Sequence, residues 1–195
     1  MTQLPDQERF SSAYAGEAPW DIGRPQAPFV EVADQVVGPL LDSGCGTGDA
    51  SLFFAERGLT VTGVDFLEQA IRRAKAKAAE RGLAVEFRVQ DALTLSESDE
   101  RFGSVIDSGL FHVFSDEDRR RYVNGLAHVL KPGGRLFLTC FSDSEPGTHG
   151  PRRESRQELV DAFAEGWEIE TLRPERFALN PKFTGMTFSE GGPKA

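Results

Sequence analysis

The chain has 195 residues, two cysteines and a formal net charge of −9, from 31 acidic and 22 basic side chains. Its length suits a single domain, 1–195, with one site, and 39% hydrophobic with 27% charged residues describes an ordinary globular protein without an apolar run that would cross a bilayer. The negative charge repels phosphate backbones and removes the counterion release that dominates nucleic-acid affinity, so a nucleic-acid partner and a membrane partner are both disfavoured.

The opening MTQLPDQERF lacks the basic flank and apolar stretch of a secretory signal, which makes the cytoplasm the expected location. Residues 1–27 carry Phe10, Tyr14, Trp20 and PWDIGRPQ and do not join the pattern that follows. They are too aromatic for a disordered tail, and a lid over a sheet edge is the expected role. From Leu40 the chain alternates short apolar runs with helical patterns, which implies βαβ units and a parallel sheet.

Strands are expected at Leu40–Ser43, Thr60–Val64, Val85–Val89, Val105–Asp107 and Arg135–Phe141. Helices are expected at Ala50–Arg57, Leu67–Arg81 (stopped by Gly82) and Asp116–Leu130 (capped by Ser115 and ended by Lys131, Pro132 and Gly133). A last helix at Arg156–Ala164 leads to an expected sixth strand at Trp167–Leu172, and Met186–Ser189 offers a short edge strand. Cys45 and Cys140 fall in core or loop segments and are expected to be reduced, with Cys45 a small packing residue.

The segment LLDSGCGTGDA, Leu40–Ala50, sets glycines at alternate positions between a strand and a helix. Such a loop lets the backbone turn tightly and approach a ligand, with the unpaired N–H groups of the helix start beside it. A dinucleotide fingerprint would require glycine where Asp49 stands, and that carboxylate repels a pyrophosphate, which opposes a nucleotide-binding oxidoreductase. Asp65, closing VTGVD after the second strand, is placed to accept from both hydroxyls of a ribose. Asp91 and Ala92, in QDAL after the third strand, either read an adenine edge or form a plain turn.

These motifs, in this order, resemble the class I S-adenosylmethionine-dependent methyltransferases, with Asp42, Gly44, Gly46, Gly48, Asp65 and Asp91 at the matching positions, and the likeness runs on through LKPGGRLFLTCF. The resemblance implies an α/β, Rossmann-like three-layer sandwich with a mostly parallel central sheet, here with a seventh strand that is short or missing. Within the class, PWDIGRPQ and DSGLFHVF are similar to the thiopurine, halide/thiol and tellurite-resistance group and to small quinone or heterocycle methyltransferases. That likeness implies a small-molecule acceptor methylated at a thiol, a phenol or hydroxyquinone oxygen, or a heteroaromatic nitrogen. It further implies that the glycine loop, Ser108 and Gly109 hold the methionine part of S-adenosylmethionine, that Trp20 packs over it and that Phe66 flanks the adenine. A non-methylating S-adenosylmethionine-binding protein of the same fold is the alternative. Ser43 stands at a position where the family pattern has an apolar residue.

Remaining candidates each carry two readings. His112 either takes a proton from the acceptor or packs between Phe111 and Val113. Tyr14 and Trp20 either face the acceptor or staple the N-terminus down, although an aromatic face suits a sulfonium and an aromatic acceptor alike, and Phe111, with Phe114 and Phe141, is expected to wall the acceptor pocket. His149 and Arg152 either recognise an acidic or phenolate group or sit in solvent. His128 complements a helix C-terminus. The three histidines lack metal-ligand spacing, so no metal is expected.

Overall fold

The computed structural model describes residues 10, 12, 14, 16, 18–145 and 150–183. Strands β1 (Leu40–Ser43), β2 (Val61–Asp65), β3 (Glu86–Val89), β4 (Phe102–Ser108) and β5 (Leu130–Thr139) form one sheet in the order β3-β2-β1-β4-β5. Every neighbouring pair in it is parallel. Helices α1 (Ala27–Glu31), α2 (Asp49–Glu56), α3 (Glu68–Arg81), α4 (Asp116–Val129) and α5 (Arg156–Ala162) surround it. The fold is the Rossmann-like α/β sandwich expected from the sequence. Among the described residues no helix is long and apolar enough to cross a membrane.

Strand geometry explains the layers. Successive side chains leave a strand on opposite faces, so Leu40 and Ile106 join Phe29, Val36 and Phe54 on one side of the sheet, while Leu41 and Val105 join Tyr122, Leu126 and Val129 on the other. The central strands are therefore buried on both faces, with polar residues gathered mainly toward their carboxyl ends. On α4, Tyr122, Val123, Leu126 and Val129 recur at helical spacing and make the buried stripe. Each such side chain contributes about 1.5–3 kcal/mol by leaving water. Ser115 caps α4 by accepting from the Asp118 amide, and α3 ends at Gly82 with φ 64.

Chain order places the site. After β3 the chain returns to the far side of β1, so the direction of winding reverses between β1 and β4, and a crevice opens beyond their carboxyl ends. The loops after β1, β2, β4 and β5 converge on it.

Three expectations are corrected or fall outside view. Strand β5 begins at Leu130, earlier than expected, because this edge strand runs through LKPGG with an irregularity opposite Phe102 and Ser104, where Pro132 needs no ladder partner. The segment Trp167–Leu172 is not a strand: Trp167 packs edge-on against Phe163, Ile169 is left exposed, and Glu170 meets β5 only through the Arg135 side chain at 3.1 Å. Met186–Ser189 lies outside the described residues. His128 is exposed at the end of α4, with Nε2 2.8 Å from the Ser98 carbonyl.

Candidate active site

The loop after β1 is shaped by its glycines. Gly46 and Gly48 have φ of 53° and 84°, and a Cβ on either would sit 2.6 Å from the Tyr14 hydroxyl or 2.7 Å from the Phe87 ring. Only glycine meets both the conformation and the space. The Gly44 and Cys45 amides both donate to the Val64 carbonyl at 2.9 Å, which ties the loop to β2.

Asp65, buried at the end of β2, accepts from the Gly46 amide at 3.0 Å and the Leu67 amide at 2.9 Å. A carboxylate offers about four acceptor positions, so each oxygen keeps capacity for a ribose hydroxyl. Asp42, buried beneath the glycine loop, accepts the Ser51 hydroxyl at 2.6 Å. Burial without a cation pushes its carboxyl up to about 7. No described lysine or arginine pairs with Asp42 or Asp65, whereas Asp49 is held by Lys77 at 2.7 Å. A cavity with two unpaired carboxylates suits a ligand carrying positive charge, as the sulfonium and ammonium of S-adenosylmethionine do, and opposes a pyrophosphate.

The cavity has a volume of about 400 Å³, within the range of small-molecule sites. Trp20, Phe66, Ser108 and Gly109 line it together with Asp42, Gly44, Gly46 and Asp65. Asp91 and Ala92 do not: Asp91 accepts from the Leu93 amide and caps a short 3₁₀ turn, and Ala92 is buried in the core. Tyr14 lines the cavity with its hydroxyl accepting from the Trp20 indole at 3.0 Å, and burial beside Asp65 pushes its phenol far above the ordinary range. Phe10 packs edge-on against both Trp20 and Phe66. Asp21, next in the chain, accepts the Thr47 hydroxyl at 3.0 Å.

Beyond β4, Asp107 is fully buried and organises the turn. It accepts from the Leu110 and Phe111 amides at 2.7 and 3.0 Å and from the Tyr122 hydroxyl at 2.9 Å. The Tyr122 oxygen also lies 2.9 Å from the Ser43 hydroxyl, which accounts for a polar residue at that buried strand end. The turn sends Phe111 and His112 to opposite sides. His112 lines the cavity, while Phe111 lies wholly buried, stacked on Phe163 with Arg119 over its ring, and so is core rather than an acceptor contact.

The loop after β5 is closed at its base by a bridge between Ser142 and Glu154. Glu154 is buried with Arg119 at 2.7 Å. Arg152 reaches the cavity wall, but its guanidinium is engaged by Asp116 and Glu158, so an acidic acceptor would compete with two carboxylates. His149 lies outside the described residues.

The sequence reading passed over Phe177 and Leu179, which form a wall of the cavity. They are held by Gln26, whose side-chain amide pairs with both the N–H and the carbonyl of Ala178 at 2.8 and 3.0 Å. The short apolar run Phe177–Leu179 is their signal in the sequence.

Comparison with known proteins agrees with this geometry. Residues 40–134 match the family model described as a methyltransferase domain. The chain is 37% identical to 2-heptyl-1-hydroxyquinolin-4(1H)-one methyltransferase of Mycobacteroides abscessus over 199 residues, covering 95% of this chain and 86% of that protein. A structure solved in work on the conversion of a disulfide bond into a thioacetal group during echinomycin biosynthesis is 39% identical, with a TM-score of 0.75 over 84% of this chain and 80% of that one. Magnesium protoporphyrin IX methyltransferase from Synechocystis, solved with S-adenosylmethionine bound, shares the fold at 22% identity, with a TM-score of 0.61 over 89% of this chain and 75% of that one. The chain belongs to the class I S-adenosylmethionine-dependent methyltransferases.

Proposed function

We propose that this enzyme methylates a small, flat, largely apolar aromatic acceptor, with a hydroxylated heterocycle or hydroxyquinone favoured over a thiol or a heteroaromatic nitrogen. The observation that carries the proposal is the aromatic end of the cavity, where Phe114, Phe141 and Phe177 stand around His112 with Leu110 and Leu179. Such a wall, apolar with a single polar point, is the expected surface for a flat ring bearing one reactive atom. The likeness to a hydroxyquinolone methyltransferase supports the same acceptor class.

S-adenosylmethionine supplies an electrophilic methyl group on a sulfonium. Asp65 would hold its ribose, Asp42 and the Gly44–Gly48 loop with Ser108 and Gly109 its methionine end, and Phe66 and Trp20 its flanks. Direct in-line displacement then leaves the protein to align the acceptor and exclude water. Residues 1–27 act as the lid of a single methyltransferase domain, with Tyr14 and Trp20 on its inner face.

A panel of hydroxyquinolones, hydroxyquinones, thiols and heteroaromatic amines, run beside tRNA and protein and read by mass spectrometry of products, tests the proposal. Methylation of aromatic hydroxyls is the expected result. Methylation confined to the macromolecules would show the acceptor reading to be wrong.

A further inference from the structure

His112 sits at the aromatic end of the cavity with its two ring nitrogens in different positions. The Phe141 amide points at Nδ1 at 2.9 Å. A backbone amide can only donate, so Nδ1 holds a lone pair, and the hydrogen of the neutral ring is on Nε2. Nε2 lies on the side of Gly109, 3.4 Å from where a Cβ on that residue would stand, and Gly109 lines the same cavity. No described residue hydrogen-bonds to Nε2. The ring therefore presents an N–H to the acceptor, where a base would present a lone pair.

Its surroundings keep it neutral. Protonation at Nδ1 would set two N–H groups against each other and break the bond to Phe141. The charges around the ring oppose it as well. Arg119 of α4 and Arg153 of the loop after β5 both disfavour an imidazolium. Glu154 is engaged by Arg119, and Arg152 by Asp116 and Glu158. Asp107 of β4 is committed to the Leu110 and Phe111 amides and to Tyr122, and burial holds the Cys140 thiol neutral. Desolvation, with these cations, lowers the His112 ring to about 4.

We propose that His112 is a fixed Nε2–H donor to the nucleophilic oxygen of the acceptor and takes no proton, so that the enzyme accepts aromatic hydroxyls or N-hydroxyls acidic enough to arrive as anions near neutral pH. The proposal rests on the acceptor reading above. In the step itself, a lone pair of the oxyanion forms the new O–CH₃ bond while the C–S bond breaks and its electrons return to sulfur. A negative oxygen and a positive sulfonium become a neutral ether and a neutral thioether, and no proton moves. Because charge on the oxygen falls as the bond forms, the hydrogen bond is stronger to bound acceptor than to the transition state. It therefore acts on affinity and on the acceptor's ionisation more than on turnover.

The test joins a spectroscopic readout to kinetics on the full chain. Long-range ¹H–¹⁵N correlation should show His112 protonated at Nε2 only, unchanged between pH 5 and pH 8. A proton on Nδ1, or a titration in that range, overturns the proposal. With two hydroxyquinolones of different acidity, the acidic limb of kcat/KM should move with the acceptor. A limb fixed at one pH for both overturns it. His112→Phe should raise KM about ten- to a hundredfold with a much smaller change in kcat, while His112→Gln, which keeps an N–H, should recover most of the affinity. An equal fall in kcat for both variants with KM unchanged overturns it. If no aromatic hydroxyl is methylated, the acceptor reading fails, and the tautomer measurement still decides whether His112 is a donor.

Discussion

At the scale of single residues, the cavity is governed by two carboxylates, Asp42 and Asp65, that pair with no lysine or arginine among the described residues. Burial raises both Asp42 and Asp65, with Asp42 pushed up to about 7. The sign of the linkage follows. A carboxyl raised in the folded state binds protons that the unfolded chain has already released, so this group's contribution to stability falls as pH rises from about 4 to about 7. A cationic ligand reverses the balance by favouring the ionised form. S-adenosylmethionine binding near pH 7 is therefore expected to release protons, and Asp42→Asn should abolish most of that release. Calorimetry in two buffers of different ionisation enthalpy measures it, and net proton uptake would contradict the assignment. Residues of this kind were legible because each answers a local need: glycine for a left-handed turn, an acid at a strand end beside that turn. Phe111 lies in the core and not on the expected acceptor wall, because the 3₁₀ turn directs it and His112 to different sides, which sequence spacing does not reveal. Asp91 marked a turn, and the turn is what it caps.

At the scale of elements, the first four strands and the four longer helices lie within about three residues of their sequence expectations, because each carries its own hydrophobic pattern, while β5 starts five residues early. The Trp167–Leu172 segment failed because alternation describes a strand only when a neighbour supplies a ladder, and here the aromatic contact of Trp167 with Phe163 anchors the chain instead. The loop after β5 had no legible structure, since what fixes it is a tertiary pair. Glu154 and Arg119 are nearly inaccessible and bonded at 2.7 Å, yet Glu154 Oε2 and Arg119 Nε have no partner. Asp116 lies 3.8 Å from Arg119 and Arg152 lies 3.7 Å from Glu154, both more distant and more exposed than the pair itself, so removing one member leaves a buried charge poorly matched, at a cost of up to about 3–5 kcal/mol, whereas replacing both with apolar groups avoids that cost. Glu154→Ala should accordingly destabilise the protein far more than Glu154→Leu combined with Arg119→Met. Urea denaturation of the three proteins decides it, and equal losses in single and double variants would show that the charges themselves are not what matters. Because the Glu154 side chain ties to Arg119 of α4 the end of the loop that carries Pro151 and Arg152 to the cavity, the single variant, which keeps the backbone bridge but loses this anchor, should also weaken acceptor binding.

At the scale of the whole molecule, the cover of the site is built from both ends of the chain. The Asn180 amide donates to the Pro19 carbonyl at 2.8 Å, and its side chain donates to the Asp21 carbonyl at 3.0 Å. Gln26, buried, holds Ala178 through a reciprocal pair. Asp21 in turn binds Thr47 of the glycine loop, to which Lys77 also donates at 2.7 Å. The N-terminal segment thus bonds to Thr47 of the glycine loop on one side and to Ala178, between Phe177 and Leu179, on the other, and so joins two walls of the cavity. These contacts could not be read from the sequence, because their partners are separated by up to 161 positions (Pro19 to Asn180) and most of the accepting or donating groups are backbone, although Asp21 and Gln26 themselves lie in PWDIGRPQ. They lead to a specific expectation. Gln26→Leu removes both hydrogen bonds to Ala178 and leaves a backbone amide and carbonyl unpaired, a loss of about 1–3 kcal/mol in the cover. The parallel sheet is untouched, so its far-ultraviolet dichroism should be unchanged. S-adenosylmethionine affinity should shift little, because Asp65 and the glycine loop are intact. Acceptor KM should rise and turnover should fall, because the Phe177 wall is released and water enters the reaction site. Removing residues 1–26 should have the same effect on acceptor KM and turnover in a stronger form and should also weaken S-adenosylmethionine binding, because Tyr14 and Trp20 are lost from the cavity wall. Normal turnover in either protein would show that the two chain ends merely pack together and take no part in closing the site.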